Sequence, residues 1–531
     1  MQLLLLWLGL CSLGAGPSGK LDTGLAGATG MQPVFVRMEA QLFKKGGDYE
    51  RFCADHEKDP RSEVRGLVLR TLHKNADASW VGIKSFVSEW ETRKGLQNVR
   101  RFWIVNGFAC DASAEACQAL AKRDDVSFVY LQSGPAGIRQ HRRRAKSAGV
   151  DATRKRAMEA MLAAWKDDSN TPFSDNGLEV PWDLKQIQAD QVWAQGITGK
   201  GTVVAVNDAG IFDIPALEPA LWRNPKETLN GKDDDGNGYV DDVFGWDAGE
   251  QSGLVLGNAG VGHGTMCSAI VAGRPTAEKP LVTGVAPRAR LMLVNGMGYL
   301  GGFEYALANG ADVFSMSYMF VNIEIGNYRG VYRLAAEHMS AAGVLLCGGA
   351  GNFANSAPEG KQITIPKDIP CVVAAAGTVE DGSRPAFSSK GPVTWSGVKF
   401  YDDYPAEKPL VKPDLSAPAG GFACWNLASD ARPQWKVLFK GAKGDALLLG
   451  PQGNSFAGPH TAGVAALLFS MNKELNSWQV KRILEETCKD MGASGRDVLH
   501  GAGLVQALAA VRKAKEAGRE SQNRLVNPHL G

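Results

Sequence analysis

The sequence has little cysteine, almost no net charge and no long apolar run, and each shortage excludes a class of protein. Nine cysteines in 531 residues are too few for a disulfide scaffold, and none forms the CxxC pair typical of structural zinc sites. Lys and Arg number 58 against 56 Asp and Glu, so the net charge of +2 gives no reason to expect a nucleic-acid partner. The apolar run at the N terminus is too short for a stable membrane span. We therefore expect mostly buried free thiols, no nucleic acid and no stable membrane span.

The first sixteen residues are typical of an export signal. Their apolar run ends in the small residues Gly14, Ala15 and Gly16, at which a signal peptidase cuts. The basic start of such signals is missing, and Leu10 before Cys11 is larger than the residue that lipoprotein signals normally carry there. We predict a signal peptide over residues 1–16, without lipidation, and a protein that is secreted or held in the cell envelope or periplasm.

The next hundred residues, 33–133, are typical of a small α+β domain. The pattern predicts a helix over 62–91, a strand over 101–109, a helix over 112–122 and a strand over 126–131. On these residues alone, nothing more specific follows for this part of the chain.

Residues 134–180 differ in composition from the segments on both sides. They begin with a strongly basic stretch and continue as a run rich in Ser, Asn, Asp and Pro. We expect a basic linker that contains a processing site, because such segments are preferred sites of proteolysis. The alternative is a solvated helix over 152–165.

From residue 181 to 515, short apolar runs alternate with helical stretches. The apolar runs lie at 202–206, 290–294, 313–317, 343–346 and 372–376. This alternation predicts an α/β fold, a doubly wound and mostly parallel sheet with helices on both faces. Such sheets bind ligands beyond the carboxyl ends of their strands. Residues 516–531 are polar and are expected to form a tail.

Three residues in this part of the chain carry the groups that nucleophilic catalysis needs. Asp208 ends the first apolar strand, His263 begins an apolar helix and Ser455 begins another. A hydroxyl becomes a good nucleophile when a base removes its proton, and the base needs a carboxylate to fix its tautomer. Only the fold can bring residues so distant in sequence together, but the chain order Asp, His, Ser is the subtilisin order.

The motifs around these residues resemble those of the subtilisin-like serine proteases. The resemblance spans about residues 182–511, and residues 181–201 with the acidic segment near residue 235 resemble most the bacillopeptidase F-type branch. The N-terminal domain, with residues 100–130, resembles the inhibitory propeptide of the same family. The matching blocks occur in the family's order: VAVNDAGI, GHGT, GVAPRARL, GADVFSMSY, AGN, AFSSKGP, KPDLSAPA, GNSFAGPHTAGVAALL and GAGLVQALAAV.

The resemblance implies a mechanism and a set of roles. Ser455 would be the nucleophile, His263 the general base and then acid, and Asp208 the residue that orients His263. Asn352 would donate its side-chain amide to the oxyanion together with the backbone N–H of Ser455. The implied protein is a secreted serine endopeptidase made as a self-processing zymogen. Its partners would be polypeptide substrates and its own N-terminal propeptide, and no cofactor would be required for the chemistry.

The resemblance also implies a substrate groove. Its residues would be Ser317, Tyr318 and Met319 on one strand and Gly298 in a glycine-rich wall, because an extended strand at such a place pairs with the substrate backbone. The family usually has Ser-Leu-Gly or Ser-Trp-Gly where this chain has Ser317, Tyr318 and Met319. The residue preference at the scissile bond is therefore not carried over.

An acidic run offers a candidate cation site. Oxygen donors stand at Asp233, Asp235, Asn237 and Asp241, separated by glycine turns, and hard cations such as Ca²⁺ take such ligands. The run matches the first half of an EF-hand loop, but Phe244 stands where the twelfth-position Glu belongs. A structural Ca²⁺ site and an exposed acidic turn both remain open.

Cys267 lies four residues after His263, which is one helical turn. Its thiol is therefore expected behind the imidazole, in the role of a small buried apolar residue. The expected consequence is inhibition by mercurials that crowd the histidine, and not thiol catalysis.

Three other interpretations compete with the peptidase. An α/β-hydrolase esterase would need Asp490 or Asp497 with His500 after the serine, and would leave the GHGT and AGN motifs without a role. The glycines that begin at Gly296 spell a dinucleotide-binding GxGxxG, but the acidic residue expected about 20 positions later is missing. A latent or non-catalytic binding protein with the subtilase fold is the third interpretation, and the complete set of catalytic groups argues against it.

Overall fold

The computed structural model describes residues 19–133, 140, 148–166, 173, 177–257, 262–321, 323 and 325–526. The predicted signal peptide, residues 1–16, lies outside the described residues. No helix within them is both long and apolar enough to cross a membrane. The eight described cysteines are all free, and seven of them are buried, which confirms the prediction of mostly buried free thiols. Cys11 lies outside the described part.

Residues 32–131 form an α+β unit around a four-stranded antiparallel sheet with the order β2-β3-β1-β4. In chain order its elements are β1 (Gln32–Met38), α1 (Asp48–Asp55), α2 (Arg61–Thr92), β2 (Leu96–Phe102), β3 (Gly107–Ala112), α3 (Ala114–Ala121) and β4 (Val126–Leu131). Side chains alternate between the two faces of the sheet. Val34 and Val36 pack towards one apolar cluster with residues of α2 and α3, whereas Phe35 packs into another.

The predicted single strand over 101–109 is wrong, because the chain turns back in its middle. Trp103 to Asn106 form a tight turn that joins β2 to β3, closed by a hydrogen bond from Asn106 N to Trp103 O of 3.2 Å. Asn106 has a positive φ of 34° and its amide donates to the carbonyl oxygen of Ala40. The Asn-Gly pair at 106–107 is a turn signal that the surrounding apolar residues conceal.

Part of the predicted linker is a helix packed on the body of the protein. Helix α4 (Ala148–Ala164) fully buries Met158 and Met161 in the main apolar core, and Arg154 forms an ion pair with Glu250. The helical alternative at 152–165 is thus present, but its apolar face is buried. The short helices α5 (Trp182–Gln186) and α6 (Ala189–Trp193) follow. Residues 134–139 and 141–147, which hold most of the basic stretch, lie outside the described residues.

The predicted doubly wound sheet is present, with seven strands that are all parallel. Its order is β11-β10-β9-β8-β5-β7-β6, and the ends of the predicted strands shift by up to three residues. The strands are β5 (Val203–Asp208), β6 (Gly245–Asp247), β7 (Arg290–Asn295), β8 (Val313–Met316), β9 (Leu345–Gly349), β10 (Val373–Thr378) and β11 (Leu415–Pro418).

Helices cover the sheet on both faces. Helices α7, α10 and α12 belong to the apolar core on one face, and α8 and α9 to the core on the other. Their bounds are α7 (His263–Ala272), α8 (Leu300–Ala308), α9 (Arg329–Ala341), α10 (Asn454–Met471), α11 (Ser477–Glu486) and α12 (Ala507–Val526). Helix α12 extends into the segment 516–531 that the sequence assigns to a polar tail. A small antiparallel sheet of β12 (Ala423–Leu427), β13 (Lys436–Lys440) and β14 (Asp445–Leu449) was not predicted.

The N-terminal sheet lies against α8 and α9. Phe35 and Tyr130 place their rings 6.2 and 6.5 Å from that of Tyr328, just before α9. Glu304 of α8 accepts hydrogen bonds from the backbone N–H groups of Trp103 and Ile104, at 2.5 and 3.1 Å. One continuous apolar cluster therefore joins the two parts of the chain.

Candidate active site

The carboxyl end of β5 and the first turn of α7 bring Asp208 and His263 together. The Nδ1 atom of His263 lies 3.0 and 2.9 Å from the two carboxylate oxygens of Asp208, which is 2 % exposed. The close approach depends on Gly264, where a Cβ would lie 2.2 Å from the carbonyl oxygen of Gly210. The negative charge of Asp208 holds the pKa of His263 well above its usual value of 6.5. An Nδ1–H donated to Asp208 leaves Nε2 as the basic atom of the ring.

Ser455 lies at the start of α10, on the same side of the sheet as His263. The ring of the next residue, Phe456, stacks on the imidazole of His263 with centroids 6.3 Å apart. Within the described part of the chain, the Ser455 hydroxyl is not hydrogen-bonded to His263. Such contacts are often loose without substrate and tighten when it binds. The serine stands among the first N–H groups of α10, where developing negative charge is favoured.

Asn352 follows β9 and lies beside Ser455. Its Oδ1 accepts a 2.7 Å hydrogen bond from the backbone N–H of Asn454, which turns its Nδ2 away from that N–H. The two segments touch because residue 349 is glycine: a Cβ on Gly349 would lie 1.9 Å from the carbonyl oxygen of Asn454. The Asn352 side chain is thus held against the residue that precedes Ser455, where an oxyanion donor would have to stand.

The predicted strand ends one residue early, since β8 stops at Met316, and the substrate residues 317–319 follow it directly beside the serine. The hydroxyl of Ser317 donates to the carbonyl oxygen of Ser455 at 2.7 Å. The carbonyl oxygen of Tyr318 accepts a 2.6 Å hydrogen bond from the buried amine of Lys367, whose pKa burial lowers to about 7. The sulfur of Met319 lies 2.7 Å from where a Cβ on Gly351 would stand, so this thioether fills the space between the strand and Gly351.

Gly298, the remaining predicted groove residue, lies in the glycine-rich loop between β7 and α8. It has a φ of +82°, and a Cβ there would lie 2.4 Å from the ring of Phe320. Its carbonyl oxygen accepts hydrogen bonds from the side chain of Gln140 and from the hydroxyl of Tyr332, at 2.9 and 3.1 Å. The structure therefore brings Gly298 next to Phe320, which directly follows the segment of Ser317, Tyr318 and Met319.

Cys267 lies behind the imidazole, as its spacing predicts. Its sulfur is 3.9 Å from Nδ1 of His263 and 3.5 Å from the carbonyl oxygen of Ser455. Burial raises the pKa of this thiol, so the thiolate is disfavoured. Nδ1 is the atom that faces Asp208, so the thiol approaches the ring from the side away from the basic nitrogen.

The acidic run is brought together with a residue that the sequence analysis missed. Ligand oxygens of Asp233, Asp235 and Glu227 all lie within 4.8 Å of one another. Glu227 is fully buried, and its Oε2 has no hydrogen-bond partner among the described residues. Burial raises the pKa of Glu227 above its usual 4.5. An orphaned buried oxygen beside two carboxylates fits a hard cation such as Ca²⁺.

The other two predicted ligands make different contacts. Oδ1 of Asn237 accepts from the backbone N–H of Tyr239 at 2.8 Å. The carboxylate of Asp241 accepts from the N–H groups of Asn230 and Gly231, at 2.9 and 2.8 Å. The sequence offered no signal for Glu227, which precedes the acidic run and stands outside its glycine-spaced pattern.

The residues that an esterase or a dinucleotide-binding protein would use make other contacts in the structure. His500 contacts Ser416 and not Ser455, since its Nδ1 lies 3.5 Å from the Ser416 hydroxyl. Asp497 caps the turn that leads to His500 by accepting from the backbone N–H of that residue. The glycine-rich loop is covered by the N-terminal part of the chain, whose Arg100 lies within 2.5 Å of a Cβ built on Gly301.

Comparison with known proteins places the chain in a family. It is 26 % identical over 471 residues to bacillopeptidase F of Bacillus subtilis (strain 168), covering 85 % of this chain and 29 % of that protein. It is 26 % identical over 362 residues to the minor extracellular protease Epr of the same organism, covering 66 % of this chain and 44 % of Epr. Subtilisin DY of Bacillus licheniformis is 27 % identical over 349 residues, 63 % of this chain and 99 % of that protein.

The chain thus spans less than half the length of the first two relatives and nearly all of the third. The sequence model of the Subtilase family matches residues 199–503, more than half of the chain and the whole span from β5 to the segment before α12. The matched region contains Asp208, His263, Asn352 and Ser455. The chain belongs to the subtilase family.

Proposed function

We propose that the protein is a serine endopeptidase that hydrolyses peptide bonds through an acyl-enzyme on Ser455. The observation that carries the proposal is the Asp208–His263 pair beside the start of α10, with the Asn352 amide next to the serine. Nucleophile, base, orienting carboxylate and oxyanion donors together are what acyl transfer needs.

In this proposal each step belongs to a named atom. Nε2 of His263 takes the proton of the Ser455 hydroxyl as Oγ attacks the peptide carbonyl carbon. Negative charge then develops on the carbonyl oxygen, and Nδ2 of Asn352 with the N–H of Ser455 stabilises it. His263 returns the proton to the leaving amine, and a water molecule activated by the same base hydrolyses the ester. Asp208 keeps the proton on Nδ1 throughout and stabilises the imidazolium.

The N-terminal unit, residues 33–133, acts in this proposal as an inhibitory propeptide. Its sheet buries Phe35 and Tyr130 against the α9 side of the peptidase domain, and Glu304 holds its β2–β3 turn. Beyond its last strand, the side chain of Gln140 donates a hydrogen bond to the carbonyl oxygen of Gly298, one of the predicted groove residues. Cleavage between residues 134 and 180 would release the unit, and the protein would thus be a self-processing zymogen. Its parts are this unit, the linker, a peptidase domain over residues 181–515 and the tail.

The location and the cation complete the proposal. We assign residues 1–16 to a signal peptide and the protein to the secreted or cell-envelope class; the name of one relative, a minor extracellular protease, describes that relative in the same terms. Ca²⁺ would be bound by Glu227, Asp233 and Asp235. It would stabilise the fold and take no part in bond cleavage. The family requires no cofactor for catalysis.

A labelling experiment tests the activity. The purified full chain is incubated with and without Ca²⁺, treated with a fluorophosphonate probe and weighed intact, beside Ser455→Ala and the matched control Ser470→Ala, which alters a serine on the same helix. We expect the wild type and the control to lose an N-terminal piece and to carry one label, while Ser455→Ala stays whole and unlabelled.

Each result that differs from this expectation contradicts a different part of the proposal. If all three proteins stay whole and unlabelled, the chain is a latent or non-catalytic protein with the subtilase fold, and the proposed activity fails. If Ser455→Ala is labelled as strongly as the wild type, the nucleophile is another residue. Loss of the N-terminal piece from Ser455→Ala at the wild-type rate would show that another protease carries out the processing.

A further inference from the structure

The side chain of Gln140 is fully buried and makes three hydrogen bonds to one small pocket of the peptidase domain. Its Oε1 accepts from the backbone N–H of Leu300 at 2.7 Å. Its Nε2 donates to the carbonyl oxygen of Gly298 at 2.9 Å and to the hydroxyl of Tyr332 at 3.2 Å. The pocket thus offers one donor and two acceptors in the arrangement that a primary carboxamide satisfies.

The pocket is a built polar site. Leu300 begins α8, and the residue before it, Tyr299, provides no side-chain cap, so the Leu300 N–H needs a partner from elsewhere in the chain. Tyr332 is 1 % exposed, and its hydroxyl also donates to the Gly298 carbonyl oxygen at 3.1 Å, which fixes its position. Buried polar groups that lose their partner cost free energy, so an apolar or charged side chain would fit this pocket poorly.

The pocket is connected to Ser455 by the short segment that follows β8. The hydroxyl of Ser317 contacts Ser455, and the ring of Phe320 contacts Gly298. Ser317 and Phe320 are three residues apart, so their Cα atoms are separated by at most about 10 Å. An extended peptide beside this segment, with its scissile bond at Ser455, would bring a residue three to four positions before that bond to the pocket.

We propose that Gly298, Leu300 and Tyr332 form a carboxamide-selective subsite of the substrate groove. Gln140 occupies it in the uncleaved chain, and the glutamine side chain of a polypeptide substrate occupies it after the N-terminal unit leaves. The inference rests on the proposed peptidase activity, and it adds a preference for glutamine at one position of the substrate. In the uncleaved chain, Gln140 satisfies hydrogen-bonding groups of the pocket that would otherwise be unpaired.

A positional scan tests the subsite. Fluorogenic peptides carry Gln, Glu, Leu or Ala at each of the second to fifth positions before the scissile bond, and kcat/KM is measured with the self-processed protein. We expect Gln to exceed Glu and Leu by about tenfold at the third or fourth position and at no other, as the loss of one or two hydrogen bonds to buried groups implies. Tyr332→Phe removes one of these groups and should reduce the ratio of Gln to Leu several-fold.

The matched control is Tyr401→Phe, which removes the hydroxyl of another buried tyrosine that packs on Gly330 of the same helix, α9. It should leave the ratio unchanged. A second readout uses the uncleaved Ser455→Ala chain, in which Gln140→Leu should speed hydrogen exchange at the Leu300 amide at least tenfold.

Each unfavourable result points to one claim. A protein that takes the fluorophosphonate label and cleaves peptides, but prefers Gln at none of the four positions, overturns the subsite alone. The same holds if Tyr332→Phe and Tyr401→Phe leave the ratio equally unchanged, or if Leu300 exchanges at the same rate with Gln140→Leu. A protein that takes no label and cleaves no peptide overturns the proposed function and the subsite with it.

Discussion

His338 makes the stability of the whole chain depend on pH in a way that can be calculated. It lies on α9, fully buried at the seam with the N-terminal unit, where its Nδ1 is hydrogen-bonded to the carbonyl oxygen of Ile104. Its Nε2 has no partner among the described residues. Burial, together with the positive charge of Arg37, lowers the pKa of His338 from 6.5 to about 4.

The direction and size of the effect follow from this shift. Because the pKa is lower in the folded chain, His338 costs nothing above pH 6.5 and destabilises the fold as the pH falls from 6.5 towards 4. At pH 5 the unfolded chain holds the proton and the folded chain mostly does not. With pKa values of 6.5 and about 4, the free energy of unfolding falls by about 2 kcal/mol between pH 7.5 and pH 5.

Urea unfolding of the Ser455→Ala chain at pH 7.5 and pH 5 measures this loss. In the same background, His338→Gln should lose about 2 kcal/mol less than its parent between the two pH values. Glu304, whose pKa burial raises to about 7, responds to acid in the opposite direction, but it is present in both chains and cancels. The exposed His73 provides the control, and His73→Gln should behave as the parent. Equal losses with and without His338 would refute the reasoning.

Three further changes test the site. Asn352→Leu removes an oxyanion donor and should lower kcat about 10²–10³-fold with little change in KM, measured on one peptide; an unaltered kcat would contradict the role. Met319→Ala empties the space beside Gly351 and should raise kcat/KM for peptides with Phe before the scissile bond about tenfold relative to peptides with Ala; an unchanged ratio would show that the thioether does not limit the groove. Glu227→Gln should abolish most of the rise in unfolding temperature that Ca²⁺ gives the wild type, and a full rise in the variant would exclude Glu227 as a ligand.

The peptidase fold could be predicted from the sequence because its strands are short apolar runs that end at turns. The run 202–206 predicts β5, and the polar residue that closes it, Asp208, stands at the carboxyl edge of the sheet. His263 and Ser455 stand at the beginning of apolar helical stretches in the sequence, so their position at helix N termini could be predicted. The structure has them there, in α7 and α10. Their catalytic roles remain predictions that rest on the resemblance.

The parts that could not be predicted depend on contacts between distant segments. Gln140 lies in a basic stretch, and nothing in its neighbourhood signals that its side chain is buried against Leu300. Glu227 joins the acidic run only through a loop that folds back on it. The turn between β2 and β3 was not predicted, because the apolar residues around Asn106 have the pattern of one continuous strand.

Trapping the acyl-enzyme tests the central claim most directly. The self-processed protein is mixed with a peptide p-nitrophenyl ester, quenched in acid within milliseconds and weighed intact, and the modified residue is located by fragmentation. The account predicts a mass increase of one acyl group, located on Ser455 and absent from Ser455→Ala. No adduct during hydrolysis, or an adduct on Cys267 beside the imidazole, would contradict it.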